Sequence, residues 1–73
     1  MEVEVMEFPL GEVLKVGKLD REPFVVFKDD VGVSAAVLRD GDWVPGDIAA
    51  VAVEGALMAL PDFERWVNRL KGA

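Results

Sequence analysis

The order of apolar and polar positions divides the chain into four short stretches of strand character followed by two of helical character. Glu2 to Phe8 sets Val3 and Val5 between Glu2 and Glu4, a period of two that predicts a half-buried strand, with Pro9, Leu10 and Gly11 as the turn. Glu12 to Leu19 places Val13, Leu14 and Val16 among Glu12, Lys15 and Lys18, which suits a second strand, weakened in its middle by Gly17. Phe24 to Phe27 is apolar at every position, the mark of a central strand, and Lys28, Asp29 and Asp30 supply turn chemistry after it. Val31 to Arg39 predicts the returning strand, with Val31, Val33, Ala35 and Val37 on one face and Gly32, Ser34, Ala36 and Leu38 on the other. Its small side chains imply that another element packs close to it.

From Asp40 to Gly46 the pattern reads as a loop, and Asp47 stands where a helix N-cap belongs, its carboxylate able to accept from the first free N–H groups. A helix of about three turns is expected from Ile48 to Leu60, ended by Pro61. A second helix follows with Phe63, Trp66, Val67 and Leu70 at i, i+3, i+4 and i+7, and Gly72 sits at its stop. The order ββββαα lacks strand–helix alternation. It predicts a single α+β domain, residues 1–73, in which an antiparallel sheet of three to four strands is followed by two helices packed on one face.

Length changes how this fold is completed. A chain of 73 residues buries only about 60% of its unfolded surface, so its core is lean or shared with a second subunit. The stretch from Ile48 sharpens that choice. On a continuous helix Ile48, Val51, Ala52, Gly55 and Ala59 form a small-residue face, while Val53, Leu57, Met58 and Leu60 carry apolar surface well beyond one stripe. The expectation is an interface formed by Ile48, Val51, Ala52, Leu57 and Met58, joined by Trp43 from the loop and Trp66 from the second helix, the large aromatics favoured at interface centres.

Charge and composition narrow the chemistry. Fourteen acids against eight bases give a net charge of −6, which opposes direct binding of nucleic acid. The stretch from Asp62 onward, with Arg65, Arg69 and Lys71, is the one mildly basic region and suits a solvated face. The longest apolar run, Ile48 to Leu60, is 13 residues interrupted by Glu54, short of the roughly 20 that span a bilayer. The acidic start MEVEVMEF does not have the character of a targeting signal. These features lead us to expect a cytoplasmic protein with no membrane partner. The scarcity of Asn, Gln and Cys fits a thermophilic source.

The chain has no His, Cys, Tyr, Thr or Gln, which removes the parts of most catalytic schemes. Ser34 is the sole hydroxyl side chain and has no histidine to take its proton. Asp29 and Asp30 are adjacent and expected to be solvated turn residues pointing different ways, which gives little weight to general acid–base work there. Asp40, Asp42 and Asp47 offer oxygen ligands for a hard cation, but a calcium loop starting at Asp40 would put Pro45 at its glycine position and Val51 at its bidentate glutamate. We therefore expect no enzyme activity, no cofactor and no metal centre. The competing readings are a small cation-binding domain or enzyme centred on Asp40, Asp42 and Asp47, and a structural subunit of a larger complex.

The run FVVFKDDVGVSAAVL, a loop, and PGD opening an Ala-rich helix resembles the HicB-like antitoxin domain. The likeness covers residues 24–60 and rests on Asp29, Asp30, Gly32, Gly46, Asp47 and Ala52. It implies a compact sheet-and-helix domain, usually oligomeric, that binds and masks a small toxic ribonuclease, here a small basic protein. Ile48 stands where the family pattern has Thr, Val51 where it has Glu, and no DNA-binding segment follows, so repressor activity is not expected.

Overall fold

The computed structural model describes residues 11–72; the strand expected at Glu2 to Phe8 lies outside them. The elements are β1 (Glu12–Leu19), β2 (Glu22–Lys28), β3 (Val33–Arg39), β4 (Asp42–Pro45), α1 (Ile48–Glu54), β5 (Ala56–Leu57) and α2 (Leu60–Leu70). The strands form one antiparallel sheet in the order β4-β3-β2-β1-β5, so the fold is α+β as expected.

Tight turns build the meander. Asp20 and Arg21 both take positive φ, 48° and 74°, as do Asp40 and Gly41 at 54° and 82°. Paired left-handed residues match the twist of the strands they join, which makes two-residue hairpins. The segment expected as a loop from Asp40 to Gly46 is therefore a correction: Asp40-Gly41 folds the chain back and Asp42–Pro45 pairs with β3, Trp43 opposite Leu38. Between β2 and β3, Asp29 Oδ1 accepts from the N–H groups of Val31 and Gly32 at 2.9 and 3.1 Å, closing a wider turn.

The helices do not share a face. On one side of the sheet Val16, Val25, Phe27, Ala36, Leu38 and Trp43 pack with Phe63 and Val67 of α2. On the other, Phe24, Val26, Ala35 and Val37 pack with Val51 of α1. The expectation of two helices on one face is corrected for a physical reason. Pro23 through Phe27 of β2 and Ala35 through Leu38 of β3 are all buried, and a strand buried on both faces needs a layer on each. The alanines of β3 do what their size implied: α1 lies against this strand, and Gly46 N–H donates to the Ala35 carbonyl at 2.9 Å.

The continuous helix from Ile48 to Leu60 is also corrected. α1 stops at Glu54, Gly55 turns to an extended conformation, and Ala56–Leu57 pairs with Lys18 and Gly17 at the edge of β1. Two glycines make this approach possible. A Cβ on Gly17 would stand 2.1 Å from the Ala56 carbonyl oxygen and 2.8 Å from the Phe24 ring, and one on Gly55 would meet the same ring at 2.8 Å. Gly17, which weakens β1 by its propensity, is thus required by packing. Pro61 lies in the first turn of α2, where its missing N–H costs nothing.

This geometry makes a prediction. Gly17→Ala should destabilise the protein by about 1–3 kcal/mol in denaturant unfolding, the usual effect of overpacking, while Lys18→Ala beside it should stay within about 0.5 kcal/mol. Equal effects of the two would show that β5 does not depend on the close approach.

Candidate functional site

Of the seven residues expected at an interface, two are buried within the chain, although one of them, Val51, also lines a hollow beside α1. Trp43 is 8% exposed and Val51 6%. Trp43 enters the core because it lies on a strand: β4 turns its ring onto the α2 face, where it meets Phe63 at a centroid distance of 6.4 Å. Its indole Nε1 is buried without a hydrogen-bond partner among the described residues. Val51 is the α1 side chain that seals the opposite face. Trp66 is half-buried, edge-on to Phe63 at 6.5 Å, and Met58 is half-buried against the same cluster. Ile48, Ala52 and Leu57 remain exposed as expected.

What the fold brings together instead is a continuous apolar strip. A hollow of about 380 Å³ lies between α1 and the sheet, with Leu14, Val33, Ile48, Ala52 and Leu57 along it and Phe24 and Val26 at its floor. A second hollow, of about 310 Å³, adjoins it along β1 and is lined by Val13, Val16, Met58 and Leu60 together with Leu14 and Leu57. Among the described residues five of the eight exposed large apolar side chains, Leu14, Val33, Ile48, Leu57 and Leu60, line these two hollows, so their exposure is not scattered. Among the described residues the cause is the shortness of α1, a helix of seven residues laid over β3, which does not extend over the β1 side of that face.

Leu14 and Val33 lie outside the interface expected from the sequence, while Leu60 carries the apolar surface expected of it and lines the second hollow. A signal for Leu14 was present, because Val13 and Leu14 are adjacent apolar residues in an otherwise alternating strand. The register slips between Val13 and Lys15, and a bulge at Leu14 re-aims the side chain.

The aspartates do not form a ligand set. Among the described residues no group of three or more His, Cys, Asp or Glu side chains is placed to hold a metal ion. Asp47 caps α1, its Oδ1 accepting from the N–H groups of Ala49 and Ala50 at 3.0 and 3.4 Å. Asp40 occupies the hairpin turn, and Asp42 opens β4 opposite Arg39. Asp29 serves its own turn, and Ser34 is half-buried on β3 opposite Phe27.

The clearest electrostatic pairing is structural. The register that sets Phe24 opposite Val37 carries Glu22 to Arg39, whose Nε and Nη2 donate to Oε2 and Oε1, both at 2.9 Å. The Glu22 carboxyl is held below its ordinary value of 4.5, mainly by these hydrogen bonds; desolvation opposes the shift and the guanidinium charge adds to it. On α2, Arg65 pairs with Asp62 one turn back, so part of the basic tail is occupied on its own helix.

Two predictions follow from these assignments. Asp47→Ala should cost about 1 kcal/mol of stability and Asp47→Asn far less, since Asn caps nearly as well; equal losses would remove the cap assignment. Because the folded pKa of Glu22 is depressed, its contribution is present above the unfolded value of 4.5 and fades as pH falls through the lower folded value. Unfolding measured between neutral pH and pH 3 should therefore show a small acid-side loss that Glu22→Gln abolishes.

Comparison of the chain with protein-family models, with curated proteins and with solved structures finds no match.

Proposed function

We propose that this chain is a non-enzymatic protein-interaction module whose contacts with other chains are made by the apolar strip from Val33 and Ile48 across Leu14 and Leu57 to Leu60. The observation that carries this reading is the gathering of five of the eight exposed large apolar side chains among the described residues into two adjoining hollows. Solvated apolar patches of this kind mark binding surfaces, because the free energy of removing them from water is gained only when a partner covers them.

The likeness to the HicB-like antitoxin domain gives the proposal its form. The residues that carry the likeness hold structural positions: Gly32 takes a φ of +143° in the β2–β3 turn, and Asp47 starts α1. In this reading the chain is a cytoplasmic protein that takes no cofactor and masks a small basic ribonuclease. Its net charge of −6 would steer the encounter with such a basic partner.

The test is a titration of the full chain into a small basic ribonuclease encoded by the adjacent gene, read as cleavage of a labelled RNA. Cleavage should fall in proportion to added chain and be lost near equimolar ratio, and Ile48→Glu should weaken the inhibition tenfold or more. Undiminished cleavage in excess chain, or a neighbouring gene that encodes no such protein, would overturn the antitoxin-like form of the proposal.

A further inference from the structure

The strip has two properties beyond being apolar. The first is that it holds projections and hollows side by side. Leu57, 65% exposed, belongs to the rim of both hollows together with Leu14, 44% exposed. A two-fold contact requires one patch to serve as both halves of the interface, so that each copy offers the other a projection and receives one. A patch built of ridge and adjoining hollow meets that requirement.

The second property lies in the backbone. β5 pairs with β1 only at Gly17 and Lys18, and Met58 N–H donates to the Val16 carbonyl at 3.0 Å. Outward from β2, the edge of β1 from Glu12 to Lys15 meets no strand among the described residues. An open edge of N–H and C=O groups is a template for another strand, and a copy of the same edge, run antiparallel about a two-fold axis, is one that fits.

Charge agrees with self-pairing. Among the described residues Lys15 is the only charged side chain lining either hollow. Glu12 pairs with Lys28 and Lys15 with Val26, so the bulge between them leaves both on the α1 face of the sheet. An antiparallel pairing centred between them brings Glu12 of one copy to Lys15 of the other, twice, and the one cation in the strip gains a partner. A stable interface takes about 800 Å² from each partner. That is about a sixth of the 4890 Å² of this chain, the share of one side of a body measuring 31 × 25 × 22 Å.

We propose that the strip closes on a second copy of the chain, edge of β1 to edge of β1, with Leu14 and Leu57 of each copy entering the hollows of the other. This rests on reading the strip as a binding surface, and it identifies what occupies that surface in the free protein. A partner that uses the strip must displace the second copy.

The experiment uses the full chain alone, so its outcome is independent of whether a ribonuclease is bound. Sedimentation equilibrium should give twice the 8.0 kDa mass of the chain, with dissociation on dilution. Leu57→Glu and, independently, Ile48→Lys should each weaken self-association tenfold or more while keeping the far-ultraviolet circular dichroism of the parent. Val53→Glu should leave it unchanged, since Val53 is 82% exposed on α1 but lines neither hollow. Amide exchange at Val13 to Lys15 should slow as concentration rises in the parent and not in Leu57→Glu. The proposal is overturned by a single-chain mass at all concentrations, or by both strip variants associating like the parent. It is equally overturned if those amides are protected in a monomer regardless of concentration, which would mean the edge is covered from within the same chain.

Discussion

The structure depends on burying β2 and β3 on both faces. Pro23 to Phe27 and Ala35 to Leu38 present apolar side chains alternately to the two sides, and an uncovered side would leave a row of them in water. A sheet with one wet face needs only one covering layer; this one needs two. The chain meets that demand with two short helices, α1 of seven residues and α2 of eleven. On the α2 side the cover is well filled, with Phe63 and Val67 fully buried and Trp66 and Met58 packed around them. On the α1 side a single side chain, Val51, is buried from the helix.

The brevity of α1 is itself a consequence of close packing. Phe24 is fully buried, and its ring lies against the positions where Gly17 and Gly55 have no side chain. Gly55 ends the helix and lets the chain run extended to the edge of β1, where backbone pairing at Gly17 and Lys18 replaces the hydrogen bonds that further helix would have made. The exchange turns Leu57 outward and brings Met58 onto the α2 side. One pair of glycines thus links the anchoring of Phe24, the end of α1, and the exposure of the strip. The surplus apolar surface is not a defect added to the fold but the remainder left when a two-faced sheet is covered by so little helix.

Much of this was legible in the chain. β1, β2 and β3 stand where period-two alternation and a fully apolar run put them, Asp47 caps where its spacing indicated, and α2 buries Phe63 and Val67 of its i, i+3, i+4, i+7 series. What misled was a signal read by only half of its meaning. The all-apolar Phe24 to Phe27 was read as a strand with neighbours on either side in the sheet, when the same pattern also demands a layer above and below. Asp40-Gly41, a strong short hairpin signal, was read as loop, which hid β4 and left Trp43 looking like a surface residue. The run from Ile48 to Leu60 had helical composition, but composition does not register a glycine pressed against Phe24. That constraint exists only once β1 and α1 are neighbours.

The described carboxylates with assigned partners serve the fold: Asp47 a helix start, Asp29 a turn, Glu22 a cross-strand arginine and Asp62 a helix neighbour. No charged side chain is buried among the described residues. The hydrophobic surface is arranged differently, since most of what the core leaves over is collected beside one strand edge. Among the described residues that apolar area lies beside the stretch of β1 from Glu12 to Lys15 that meets no strand, and a polypeptide is the kind of partner able to cover both, which is what favours the proposed interaction role.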